Sequence, residues 1–243
     1  MIAGAALELL YPSSIYCVSC GNLIDATRPY ALCDECAAGL RWADGPVCGS
    51  CGKILAEDAR DGLCSDCSGA SRPFERGFAC MEYGGGRELI HNFKYRGRAY
   101  CGEKIAEMMH DRLRLGMPET DMVLPVPMHR GKERKRGYNQ ADVVGRLLAR
   151  RLGLPYRKGL LVRTRATAPM SKLGGERRRE NLKGAFALRP GGEALVEGRR
   201  LLLVDDVFTT GSTVEACAEA LLAAGAAAVC FVVAAASADI PAE

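Results

Sequence analysis

"LLLVDDVFTTGSTV", residues 201–214, decides how the rest of the chain is read. Its first four residues form an unbroken apolar run, the pattern of a strand buried on both faces. Asp205 and Asp206 follow at the carboxyl end of that strand, where open α/β sheets place their ligands. Thr209, Thr210, Gly211, Ser212 and Thr213 then make the turn into the next helix. Their hydroxyls, with backbone amides freed by Gly211 at the helix N-terminus, form a cradle for a dianionic phosphate. Two carboxylates beside a phosphate nest suit a ligand with vicinal hydroxyls and a phosphate, with Mg²⁺ nearby. A phosphorylated ribose fits that description. The chain has no GxxxxGK[ST] and no GxGxxG after a strand, which removes the P-loop and dinucleotide readings. A plain buried strand with an ordinary helix cap would leave the adjacent acids unexplained.

Outward from this stretch, short apolar runs alternate with helical patterns. "FACMEY" (78–83), "MVLPVP" (122–127), "RRLLLVDD" (199–206) and "VCFVV" (229–233) read as strands. Leu89, Ile90 and Phe93 mark one helix face; Ala141, Val144, Leu147, Leu148 and Leu152 mark another; residues 213–224 make a third helix. Strands alternating with helices predict a parallel α/β sheet flanked by helices. The apolar stretch 220–236 approaches the length of a membrane span, but Gly225 breaks it into helix, turn and strand, so no membrane insertion is expected.

The N-terminal third is different. Eight of the 12 cysteines form four CxxC pairs: Cys17/Cys20, Cys33/Cys36, Cys48/Cys51 and Cys64/Cys67. A shift of 31 residues maps the first two pairs onto the last two, and "CVSCG" and "LCDEC" return as "CGSCG" and "LCSDC". Two copies of one small unit are implied. Each copy supplies four thiolates, enough to close a tetrahedral structural zinc site; ligation sequential within each repeat is expected over a cross-braced arrangement, which the spacing leaves open. The start of the chain, "MIAGAALELLYPSS", does not read as a secretory signal, so a reducing cytoplasm and metal ligation are expected rather than disulfides. Gly21 and Gly52 follow their knuckles, where a missing side chain lets amides approach the sulfurs. Cys80, Cys101, Cys217 and Cys230 have no CxxC partner, and Cys217 and Cys230 read as small buried hydrophobes.

The composition changes after "GASRP" (69–73), which sets the expected boundary between a small double zinc-ribbon domain, residues 1–72, and an α/β domain, residues 73–243. The formal charge of +4 divides unevenly, −4 before the boundary and +8 after it. Eight thiolates on two Zn²⁺ would take the first part to −8. Phosphates therefore belong with the second part.

Residues 201–214 resemble the 5-phosphoribosyl-1-pyrophosphate (PRPP) motif of type I phosphoribosyltransferases. "LPVPMHRGKERKRGYNQA" (124–141), "FKYRG" (93–97) and "RRRENLKGAF" (177–186), behind a zinc ribbon, resemble the ComF/GntX group of competence proteins associated with DNA uptake. The resemblance implies a type I phosphoribosyltransferase fold and PRPP bound with Mg²⁺. Asp205 and Asp206 would hold the ribose hydroxyls, and residues 209–213 would wrap the 5-phosphate. Pro127, Met128, His129, Arg130, Lys135 and Arg136 would belong to a pyrophosphate loop, within a basic loop that also carries Lys132 and Arg134. Residues 164–183 would form a hood, with Met170 where the family often has glutamine. Thr209 stands where purine enzymes of the class carry an acid, and so resembles the pyrimidine type.

Three functions compete. One is Mg²⁺-assisted transfer of phosphoribose from PRPP to an acceptor that the sequence does not name. Another is a non-catalytic competence factor that binds single-stranded DNA or senses PRPP; Tyr138 and Phe186 are the aromatics nearest the basic clusters. The last is a zinc-ribbon adaptor for an uptake helicase.

Overall fold

A parallel sheet needs strands that are apolar on both faces, and the computed structural model, which describes residues 15–57, 62–95, 100–165 and 180–239, places four such strands side by side. They are β1 (Arg76–Glu82), β2 (Met122–Pro125), β5 (Arg200–Phe208) and β6 (Ala228–Ala236), parallel throughout in the order β1-β6-β5-β2. β3 (Leu161–Arg163) and β4 (Phe186–Leu188) pair antiparallel as a separate two-stranded sheet. The helices are α1 (Asp34–Ala38), α2 (Tyr83–Tyr95), α3 (Cys101–Leu113), α4 (Arg130–Arg136), α5 (Gln140–Leu152) and α6 (Ser212–Ala223).

Successive strand residues point to opposite faces, and β5 shows what its unbroken leucines are for. Leu201 and Leu203 pack in one core with Val214, Cys217 and Leu221 of α6. Leu202 and Val204 pack in the other with Phe93 of α2, Ile105 of α3 and Leu148 of α5. Cys80, Cys101, Cys217 and Cys230 are all buried in these cores. The 220–236 run divides as its glycine indicates: α6 ends, Gly225 turns at φ +93°, and β6 follows. Among the described residues, no helix is long and apolar enough to cross a membrane.

Three local readings change. β5 continues to Phe208, because Val207 and Phe208 keep pairing with Ala235 and Ala236 of β6. The acidic pair therefore lies inside the strand, and the turn begins at Thr209. The stretch 130–136 is a helix and not a loop. The straight-chain Arg and Lys residues are good helix formers, His129 caps its start and Gly137 (φ +91°) ends it. A further helix, α3, has no counterpart among the expected elements; its Cys101, Ile105, Met109 and Leu113 form the buried stripe.

The 31-residue repeat is a repeat of structure. The bridge between Tyr16 and Leu23 recurs between Val47 and Ile54. The bonds Cys17 N to Asn22 O and Gly21 N to Cys17 O recur as Cys48 N to Lys53 O and Gly52 N to Cys48 O. The two copies pack on opposite faces of the sheet, around the edge of β1. Cys17 belongs to the core with α2 and α3, whereas Cys48, Cys51, Cys64 and Cys67 belong to the core with α6. Between them the chain runs along β1: Trp42 bridges Met81 antiparallel, Ala43 N donates to Cys80 O, Glu82 N to Arg41 O, and Gly77 N to Ser50 O. An edge that would otherwise be open is thereby paired.

Gly52 carries this contact, and crowding on β1 adds a second reason for a glycine after the knuckle. It sits at φ +76°, and a Cβ there would lie 2.6 Å from Gly77 O and 2.9 Å from Phe78 Cα. Gly52→Ala combines a left-handed L-residue with overpacking against backbone. It should cost about 2–4 kcal/mol, measurable by urea unfolding of the zinc-loaded protein, whereas Gly62→Ala, at φ +62° with open space around it, should lose less.

Candidate functional site

Each four-cysteine group gathers its sulfurs to within 4.8 Å of one another: Cys17, Cys20, Cys33 and Cys36 in the first, Cys48, Cys51, Cys64 and Cys67 in the second. The ligand sets are sequential, as expected. A tetrahedral shell with Zn–S about 2.3 Å has sulfurs about 3.8 Å apart. The observed Cys20–Cys33 and Cys51–Cys64 separations are 3.8 and 3.5 Å. Backbone amides point at the sulfurs: Cys33 N donates to Cys17 Sγ at 3.4 Å, and Cys51 N to Cys48 Sγ at 3.5 Å. Burial opposes the Cys17 thiolate, but amides led by that of Cys33 outweigh it and hold the thiol down to about 7. The sites fit Zn²⁺, with no open ligand position.

The second cluster of chemistry forms where β5 ends. Asp206 Oδ1 lies 2.9 Å from Lys94 Nζ at the end of α2, and Asp205 Oδ1 accepts the Asp206 amide at 2.8 Å. Burial, then the Asp206 charge, push the Asp205 carboxyl up to about 7, against the pull of the Asp206 amide, Lys94 and Arg163. Burial likewise opposes the Lys94 ammonium, and Asp206 overcomes it, so the amine stays above its ordinary value. Thr209, Thr210, Gly211, Ser212 and Thr213 curl beside Asp205 around a small recess. Gly211 is at φ +88°, with a Cβ position only 2.8 Å from the Phe208 ring. The loop thus closes tightly into α6, whose first-turn amides have no partners within the helix. Thr210 and Ser212 exchange a hydroxyl bond at 3.0 Å.

A cavity of about 800 Å³ opens between the β2–α4 connection and β3. Pro127, Met128, His129 and Arg130 line it, together with Lys158, Arg163 and Arg189. Arg163 also acts on Asp205, so cavity and acidic pair share a cation. Lys135 is exposed on α4 and is not among the lining residues. Arg136 is not either. It donates to Gln140 Oε1 at 2.6 Å and lies 4.9 Å over the Tyr95 ring. His129 Nδ1 accepts the Gly131 amide at 3.2 Å, which leaves Nε2 as the nitrogen that can face a ligand. Tyr138 is half-buried, donates its hydroxyl to Phe93 O and tilts its ring against that of Phe93, and Phe186 is buried under Arg163. The hood residues 166–179, Met170 among them, residues 96–99 of the "FKYRG" stretch, and residues 1–14 lie outside the described residues.

Lys94 and Arg163 stand at the acidic pair and Arg72 bonds to the 209–213 loop, and sequence reasoning gives none of the three a place in the candidate site. Lys94 stands within a quoted stretch but carries no role there, and Arg163 and Arg72 have no local pattern at all.

Comparison with known proteins agrees with this anatomy. Residues 6–68 match the family described as Double zinc ribbon domain, and residues 141–240 the one described as Phosphoribosyl transferase domain. DNA utilization protein YhgH of Escherichia coli (strain K12) is 38% identical over 146 residues, covering 58% of this chain and 63% of that protein. Competence protein F of Haemophilus influenzae is 35% identical over 132 residues, 51% of this chain and 56% of that one. Competence protein ComFC of Bacillus subtilis is 29% identical over 150 residues, 58% and 55% respectively. The chain thus spans less than two thirds of the length of these relatives. Two four-cysteine sites that fit zinc, a parallel α/β sheet and these matches make the chain similar to the DNA utilization and competence proteins over 51–58% of its length, with a double zinc ribbon matched in its N-terminal part and a phosphoribosyl transferase domain in its C-terminal part.

Proposed function

We propose that the chain binds PRPP with Mg²⁺ at the end of β5 and transfers its phosphoribosyl group to an acceptor, in a cytoplasmic process linked to DNA uptake. The observation that carries this reading is the joining of Asp205, Asp206 and the 209–213 loop with Lys94 and Arg163 in one place. The carboxylates suit ribose hydroxyls or a hard cation, and the loop suits the 5-phosphate. In the transfer, the acceptor's lone pair forms a bond to ribose C1 while the C1–O bond to pyrophosphate breaks. The leaving pyrophosphate keeps the electron pair. Arg130, Lys158, Arg163 and Arg189 around the adjacent cavity would stabilise that developing charge. The zinc ribbons, residues 1–72 in this reading, serve structure.

Calorimetry with PRPP and Mg²⁺ tests binding, and PRPP consumption against a panel of bases and amines tests turnover. No heat with PRPP would overturn the reading; heat without consumption would leave a PRPP sensor.

One observation favours single-stranded DNA as a second ligand. Tyr95 is 63% exposed and stacks against Arg136 beside the exposed basic residues of α4, an arrangement that offers a base a ring face next to phosphate-binding cations. Such binding should weaken linearly in log–log terms as salt rises, by a slope of about −0.7 per phosphate neutralised, and should weaken in Tyr95→Ala. Salt-independent binding would sink it.

A further inference from the structure

Arg72 lies just before the sheet begins, and its side chain is only 3% exposed. Nothing in the sequence marks it, yet it reaches two separate parts of the molecule. One terminal nitrogen, Nη2, donates to the carbonyl of Asp66, between the zinc-site cysteines Cys64 and Cys67. The other, Nη1, donates to Thr210 O at 3.3 Å, in the middle of the phosphate loop, and pairs with Glu215 in the first turn of α6. The same nitrogen is 3.4 Å from the Cβ position of Gly211.

Both ends of the tie are themselves fixed. Asp66 is held through its side chain by Lys53, which is 3% exposed, at 2.5 Å, and Cys67 N and Ser68 N both bond to Cys64 O in the knuckle turn. Glu215 is buried. A planar guanidinium with donors on two sides can hold two carbonyls at once; an ammonium, as a compact point charge, cannot reproduce that fork. Neutral hydroxyl bonds also hold the loop, Thr210 with Ser212 at 3.0 Å and Ser237 Oγ donating to Thr209 O at 3.3 Å. The loop turns through the left-handed Gly211 and rests on the Phe208 ring.

We propose that Arg72 is a positioning residue through which the second four-cysteine centre sets the conformation of the 209–213 loop. A metal that never touches the ligand then governs how well the loop receives a phosphate. The consequence for phosphate binding rests on the PRPP reading above; the tie itself does not.

The test uses the full zinc-loaded chain as wild type, Arg72→Lys and Arg72→Met, with zinc content measured for each. Amide hydrogen exchange is followed at residues 209–213, with β6 as an internal reference for the folded core, and PRPP binding is measured with Mg²⁺ present. Arg72→Met should keep two zincs and full β6 protection while the loop amides exchange about tenfold faster, the sign of local rather than global opening. PRPP should bind about tenfold or more weakly, as for loss of a charge-assisted bond. Arg72→Lys, able to keep one side of the tie, should fall between the two. Unchanged loop exchange in Arg72→Met would overturn the proposal. Should Arg72→Met lose β6 protection as well, Glu215→Gln decides: faster loop exchange supports the tie, unchanged exchange ends it. Wild-type protein that gives no heat with PRPP would end the PRPP reading, and the exchange comparison would still decide the role of Arg72.

Discussion

Zinc removal should have the largest effect of any single perturbation, and it should come in two steps. Structural zinc contributes about 10–16 kcal/mol of apparent folding free energy per site in zinc-finger peptides. A whole domain is stable by about 5–15 kcal/mol, so loss of either site removes a large share of the stability of the part it holds. The second set of cysteines is wholly buried in the core with α6, whereas Cys20, Cys33 and Cys36 of the first are half-buried. A chromophoric chelator should therefore take one zinc early and the other only as the protein unfolds. Cys51→Ser, at a fully buried ligand, should bind a single zinc and lose about 5 kcal/mol or more. Metal release in one step, or a Cys51→Ser protein that keeps its unfolding midpoint, would contradict this.

The second large effect lies at the acidic pair, where stability and binding should move in opposite directions. Asp205 is held up to about 7 by burial and by Asp206, whereas an unfolded aspartate titrates near 3.9. A folded value above the unfolded one means that the charged form is disfavoured in the native state. Apo stability should therefore be greatest at low pH within this window, and be lost as pH rises from about 4 through about 7. Asp205→Asn, which keeps the oxygen that accepts the Asp206 amide, should stabilise the apo protein at pH 8 by on the order of 2 kcal/mol. Ligand binding needs the carboxylates ionised. PRPP·Mg²⁺ affinity should consequently rise by about tenfold per pH unit below 7 and level off above it. Asp205→Ala/Asp206→Ala should bind at least about a hundredfold more weakly, the sum of two charge-assisted bonds. Melting curves across pH and titration calorimetry read both. A destabilised Asp205→Asn at pH 8, or a double variant that binds as wild type, would contradict the assignment of this pair.

What could be read from the sequence was chemistry written in contiguous residues. Asp205, Asp206 and the TTGST turn are adjacent in the chain, and strand burial alone fixes where they emerge. The zinc ligands could be read for the same reason, since each CxxC knuckle is local and the 31-residue shift exposes the pairing of knuckles. The residues that complete the site come from elsewhere. Arg72 and Thr210 are 138 positions apart, and Lys94 reaches Asp206 because α2 and β5 meet across a core that includes Phe93 and Val204. Such contacts depend on the strand order β1-β6-β5-β2, which no local pattern specifies. The misreading of α4 has another cause. None of its residues is buried, so it has no apolar stripe to betray the helical period, and only the caps at His129 and Gly137 mark it.

The pairing around β1 has a consequence for how the chain assembles. β1 is the earliest of the strands, and its inner neighbour β6 is the latest, with Arg76 beside Cys230. Contacts so far apart are slow to form, because the loop must close before the pairing is rewarded. The outer edge of β1 is different: residues 41–43 and Ser50 precede it closely and can pair with it as soon as both have left the ribosome. During synthesis, then, β1 waits with one edge already taken. Only one side is left open for a partner strand, and wrong pairings, including those with other nascent chains, have half the template on which to form.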